Sequence, residues 1–255
     1  MILERLRLPG VSPLEVWDLP VRGRLWYRAL RGADPAHALV LGLQALHARH
    51  AFDRAHVEVE PERRRALRDR IRNRGYQLAF TITFGRHGRW AGVHAGARLL
   101  REGVVCDLGQ TSLKLGVKRR GRLAREIVDR DLAVLPVALT EHAASRRGRG
   151  ALIAWIAGAL LPHLAGSVSE LVLALPARVS ARGVPGPCTY GGLAGSRFVP
   201  GLLDALEARG GHVARARVVN DAELAAGLVR AGEGERVLAL TLGFGPGAAL
   251  VSGRA

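Results

Sequence analysis

Three strand-type runs in close succession, followed by helix, strand, helix, strand and helix, constrain this chain more than any other feature. From Gly103 onward, "VVCDLG", "SLKLGVKRR" and "LAREIVDRD" read as strands joined by short turns. "GALIAWIAGALLPHLAG" has helical apolar spacing, "ELVLALPARV" reads as a strand, "RFVPGLLDALEARGG" as a helix and "HVARARVVND" as a strand. "AELAAGLVRAGEGE" adds a helix, and "RVLALTLGFGPGAALVSG" a last pair of strands around a glycine turn. This order predicts an α/β fold. With 255 residues, 48% of them hydrophobic, the chain can bury a core in one large domain or two modest ones.

Composition removes several classes. No apolar run approaches the roughly 20 residues of a membrane helix, and "MILERLRLPG" lacks the apolar centre of a secretory signal, so a soluble cytoplasmic protein without a membrane partner is expected. Cys106 falls in an apolar strand and Cys188 in a glycine-proline loop; two such cysteines argue against a disulfide framework or a cysteine-rich zinc site. The nine histidines show no metal-ligand spacing with supporting carboxylates. A net charge of +16 invites a nucleic-acid partner. The arginines, however, are scattered, without interleaved aromatics or a recognition-helix pattern, which favours attraction of anionic substrates and disfavours nucleic acid.

Four segments carry more specific information. "CDLGQTSLKL" sets Asp107, Gly109, Thr111 and Lys114 around a tight turn, and Lys114 is one of only two lysines. "VPGPCTYGGLAG" is a proline-glycine loop, "VVNDAELAAG" puts Asn220 and Asp221 where a strand meets a helix, and "LTLGFGPGAAL" spaces Gly243, Gly245 and Gly247 between apolar strands. Through these residues the chain resembles the ROK (repressor, ORF, kinase) sugar kinases and the related polyphosphate glucokinases, in the sugar-kinase, actin and heat-shock ATPase superfamily. The resemblance implies two ribonuclease-H-like lobes around a central nucleotide cleft.

The order of these segments is unusual for that family, whose chains open on the first phosphate motif. Here it begins only at Val104. "ADPAHALVLGLQALHAR" is similar to the family's late adenosine segment, which predicts a strand over Ala38 to Leu43 and a glycine turn at Gly42; "LAFTITFGRHGRWAGVHAGARLL" is similar to its terminal strand and closing helix. A permuted chain order follows: 1–102 supplies the later part of the C-terminal-type lobe, 103–232 the first lobe, and 233–255 the start of the C-terminal-type lobe. The strand at 38–43 should then share a sheet with the strand at Val237 to Leu242. The alternative is an independent α/β domain over 1–102, and "PERRRALRDRIRNRGY" is an amphipathic helix under either.

By resemblance, Asp107 reaches a magnesium ion through its water shell, and Gly109, Gln110, Thr111 and Lys114 contact phosphate together with Gly243, Gly245 and Gly247. Gly42 lies against the nucleotide. Gly186, Tyr190 and Asn220 bind the substrate, and Asp221 takes the proton of its hydroxyl. The residues alone leave blander readings open: an ordinary Asp-Gly hairpin at 107–109, a helix cap at Asn220 or Asp221, and a ligand-free glycine turn at 243–247. The chain also departs from the family. Phe244 replaces a usual threonine, the glycine run near Gly42 is reduced to one, and the sugar-holding Glu-x-Gly-His motif is missing.

The expected activity is phosphoryl transfer from ATP to a hydroxyl of a sugar or similar small metabolite, with Mg2+. Polyphosphate as donor fits the positive charge, and a non-catalytic ligand- or partner-binding protein fits the eroded motifs. Nucleotide and small-molecule substrate are the expected partners; monomer and homodimer both stay open.

Overall fold

The computed structural model describes residues 2–14, 30, 32–109, 112–129, 146–164, 169–186, 188, 192–242 and 246–253. It is a mixed α/β structure with two sheets, and the chain divides into two compact units: 1–7 with 92–224, and 8–91 with 225–255. Among the described residues no helix is long and apolar enough to cross a membrane.

The first unit is organised by its most apolar strand. β5 (Gly103–Leu108) is buried at all six positions, as a strand covered on both faces must be. It pairs antiparallel with β6 (Ser112–Arg119), which pairs antiparallel with β7 (Arg122–Asp129). On its other side β5 runs parallel to β8 (Ser169–Leu175), and β8 parallel to β9 (Val213–Asn220). A sixth strand, β1 (Ile2–Arg5), joins β9 in parallel.

Two helices line the main core of this unit. α4 (Arg146–Leu164) buries Leu152, Ile156 and Leu160, spaced four apart, and α5 (Phe198–Glu207) buries Phe198, Val199, Leu202, Leu203 and Leu206. Each such side chain contributes about 1.5–3 kcal/mol on leaving water. α3 (Ala91–Leu99) approaches β5 through glycines: a Cβ on Gly96 would stand 2.7 Å from a Val105 methyl, and one on Gly92 2.8 Å from the Asp107 carboxylate. Alanine at either position would push the helix off the strand.

The sheet of the second unit has the order β2 (Val11–Leu14), β11 (Pro246–Ser252), β10 (Arg236–Leu242), β3 (Arg54–Glu58), β4 (Thr81–Phe84). β10 is antiparallel to β11 and β11 to β2, whereas β10, β3 and β4 run parallel. Taking β10 as the first strand, these directions repeat those of β5 to β9. The helices repeat too, with α1 (Pro35–His50) ahead of β3, α2 (Pro61–Asn73) ahead of β4 and α3 after it.

α1 corrects one expectation. Residues 38–43 are helical, not a strand. Asp34 begins the helix, its carboxylate accepting from the His37 amide at 3.2 Å, and Pro35 occupies the first turn, where a missing N–H costs nothing. Ala36, Leu39, Val40, Leu43 and Leu46 then fall on one buried face, and Ala51 closes the helix in a left-handed conformation, φ 45°, donating to the His47 carbonyl at 2.8 Å. The strand that pairs with β10 is the next one, β3. Gly42 is buried mid-helix and forms no glycine turn.

Candidate functional site

The polar residues of the phosphate hairpin are brought together by strand register. Asp107 lies directly opposite Lys114 in the β5–β6 ladder, and the lysine Nζ donates to the Asp107 carboxylate at 2.8 Å. Asp107 is only 5% exposed, so the pairing compensates a charge that burial alone would penalise. The turn closes through the Gly109 amide, which donates to the Ser112 carbonyl at 2.9 Å; a Cβ there would crowd that same carbonyl at 3.0 Å. Gln110 and Thr111 lie outside the described residues.

The sheet carries this level across to Asp221. Asp107 pairs with Ala174 on β8, and Leu175 pairs with Asn220 at the end of β9. The carboxyl ends of three parallel strands therefore line up, where ligand sites collect in open α/β sheets. α6 (Asp221–Ala226) begins at once. Asn220 is its cap: Oδ1 accepts from the Glu223 amide at 3.1 Å, while Nδ2 donates to the Ala177 carbonyl at 3.1 Å and that of Leu175 at 3.5 Å. With capping assigned to Asn220, Asp221 is left for other work. Its carboxylate accepts from the Ala222 amide at 2.7 Å.

Asp221 is half-buried, and its carboxyl is pushed up to about 7 by burial first and the negative charge of Asp107 second; the Ala222 amide and the Lys114 ammonium pull weakly the other way. An acid poised near neutrality beside an ionised partner has the form of a proton acceptor. Cys106, next to Asp107, is buried and its thiol is pushed far up, so it is unreactive; neither cysteine is in a disulfide.

Other expected site residues are dispersed. Gly186 belongs to a small closed loop after β8, in which its amide donates to the Arg178 carbonyl at 2.7 Å and Val179 bridges Pro185. Tyr190, Gly243 and Gly245 lie outside the described residues. Gly247 pairs with Thr241 in the second unit, where the Thr241 hydroxyl also donates to the Gly247 carbonyl at 3.2 Å.

Two buried carboxylates were not anticipated. Glu223, 2% exposed, pairs with Arg5, whose guanidinium reaches it from β1. Glu58, 5% exposed at the end of β3, accepts from the amides of His87 and Gly88. The capping pattern Asn-x-x-Glu was present at 220–223, but nothing local announces that its glutamate turns to Arg5.

Among the described residues no group of three or more His, Cys, Asp or Glu side chains could hold a metal ion. Asp107, a hard oxygen donor at the strand ends, fits magnesium, which binds through one or two carboxylates and completes its shell with waters and substrate phosphates.

No family model and no curated protein matches the chain. Among solved structures it is similar to the AlfA filament bound to AMPPNP at 10% identity and a TM-score of 0.37, over 73% of this chain and 60% of that one. It is also similar to the type II variant of the Aquifex aeolicus Ppx/GppA phosphatase at 15% identity and a TM-score of 0.35, over 59% of this chain and 56% of that one. The chain thus spans less than two thirds of the length of either structure, and neither singles out the ROK family.

Proposed function

We propose that this protein transfers a phosphoryl group from ATP to a hydroxyl of a sugar or similar small metabolite. The observation that carries the reading is the Asp221 carboxyl, raised to about 7 by burial and by Asp107 at the aligned strand ends of the first unit. Phosphoryl transfer requires mainly positioning and neutralisation of charge. In this reading Asp221 accepts the acceptor hydroxyl's proton as that oxygen attacks phosphorus. Lys114 supplies positive charge to the donor phosphates, and Asp107 would hold magnesium. When bound, magnesium neutralises charge on those phosphates.

The permuted chain order is part of the same reading. It is supported by the two sheets repeating one strand order, the second assembled from β10 and β11 late in the chain and β2, β3 and β4 early in it.

A polyphosphate donor is a second reading with its own support. Residues 38–43, assigned by resemblance to adenosine, lie in α1 with all but Leu41 buried, while the net charge of +16 favours a long polyanion. Turnover assays offering ATP or polyphosphate with a panel of sugars decide between donors. Consumption of neither donor with any acceptor, by parent protein that is folded, would sink the transferase proposal.

A further inference from the structure

β1 does little of what an added strand ordinarily does. Ile2 is 54% exposed and Leu3 36%, so the strand buries little apolar surface, although it extends the ladder through Arg5 opposite Val218 and the Leu6 amide, which donates to the Val218 carbonyl at 2.9 Å. The residue that does go inward is Arg5. Its Nη2 donates to both Glu223 oxygens, at 2.9 and 2.7 Å, and its Nη1 donates to the Val179 carbonyl. The Arg5 and Glu223 side chains are 13% and 3% exposed.

These bonds close a ring. Arg5 ties Glu223 to Val179; the Glu223 amide donates to Asn220; Asn220 donates to Ala177, two residues before Val179. Three segments remote in sequence, the loop after β8, the β9–α6 junction and β1, are joined by partly buried hydrogen bonds, those of Arg5 charged. Asp221 is held between two members of the ring, Asn220 and Glu223. The backbone that carries it cannot shift without disturbing the cap or the ion pair. A buried ion pair gives weak net stability compared with apolar packing, but removing one partner leaves the other charge buried and uncompensated. Geometry is therefore what this pair contributes beyond packing.

We infer that Arg5 is a positioning residue, fixing the first turn of α6 and with it the carboxylate of Asp221. The inference rests on the phosphoryl-transfer reading for the role of Asp221, but the rigidity it predicts is measurable without turnover. Arg5→Met, Arg5→Lys and Glu223→Gln would be compared with the parent in two ways: amide hydrogen exchange at Ala222 and Glu223, with Leu173 and Val105 as core references, and steady-state kinetics in the donor.

In folded Arg5→Met, exchange at Ala222 and Glu223 should rise by roughly tenfold or more while the references hold. kcat should fall by about 10²-fold with donor KM little changed, as for a misplaced catalytic group. Arg5→Lys, keeping charge but not the forked geometry, should fall between. If Arg5→Met does not fold, Glu223→Gln, nearly the same shape without the charge, is expected to show the same local loosening more weakly. Unchanged exchange at Ala222 and Glu223 in a folded variant overturns the inference, as does a rise in KM with kcat preserved. A parent without turnover would defeat the transferase reading, and the exchange comparison would still decide the role of Arg5.

Discussion

Two carboxylates end parallel strands in the two units and meet opposite fates. Glu58, at the end of β3, is buried, yet its carboxyl is held below the ordinary range. Burial works to raise it, but His56, with Nε2 at 3.5 Å, and the amides of Gly88 and His87, at 2.9 and 3.1 Å, outweigh that. Gly85 clears the space: a Cβ there would lie 2.0 Å from the Glu58 carboxylate. Asp221, following β9, is favoured as an anion by the Ala222 amide and its own, but burial and the negative charge of Asp107 outweigh them and it rises to about 7. Burial is common to both, so burial alone does not mark a reactive group. The difference is how completely the surroundings satisfy the charge.

The largest expected effect is on the unsatisfied member. Asp221→Asn, which keeps the size but cannot accept the proton, should lose about 10²–10⁴-fold in turnover with donor affinity preserved. Parent turnover should rise as pH increases through about 7, where the carboxylate loses its proton, and the residual turnover of the variant should lack that limb. Wild-type rates in a folded variant would end the catalytic assignment.

On the satisfied member the effects should appear in stability instead. Gly85→Ala forces the Glu58 carboxylate off its amides and should cost about 1–3 kcal/mol in denaturant unfolding, leaving turnover of the folded fraction unchanged. Glu58→Gln is milder, near 1 kcal/mol at neutral pH. Because the folded carboxyl lies below its ordinary 4.5, the parent's advantage is present above that pH and fades as pH falls through the folded value; the variant should not show that fade. Turnover lost through Glu58→Gln would erase the contrast between the two sites.

A smaller effect sharpens the same contrast from the other side. Asp221 is raised above its ordinary 3.8, so the parent loses stability as pH rises from about 4 to about 7 and does not regain it above. Asp221→Asn should therefore melt above the parent by several degrees at pH 8, with the gap closing toward pH 4. The smallest change is expected from reordering. A chain opened between Glu102 and Gly103, with 255 joined to 1 through a glycine linker, should keep both sheets and melt close to the parent, since the opening falls where the exposed link after α3 meets the first residue of β5. Failure of that chain to fold would remove the support for the permuted reading.

Legibility in the sequence followed how local each signal was. β5, β6 and β7 were readable because their short apolar runs are separated by turns, and Asp221 because a strand meets a helix at that residue. α1 was misread as a strand because "ALVLGL" is apolar at nearly every position, which hides its period; Asp34-Pro35 was the local signal that decides it. The alternating "RAHVE" of β3 passed unread beside it. The pairing of Lys114 with Asp107 follows from antiparallel register, which one strand alone does not reveal. The contact from Arg5 to Glu223 spans 218 residues, and no window of sequence holds both.

That span has a consequence for how the polypeptide is made. β1 pairs with residues 215–218 and β2 with 248–251, so the first two strands leave the ribosome long before their partners exist. At about 5–20 residues per second they wait roughly 10–50 s, with unpaired backbone and the apolar side chains Ile2, Leu3 and Val11 exposed. β5 to β9 can form a sheet earlier and alone. The N-terminal segment is then the last to be stitched in, and the interval before that is when a chaperone holding nascent chains has the most to protect.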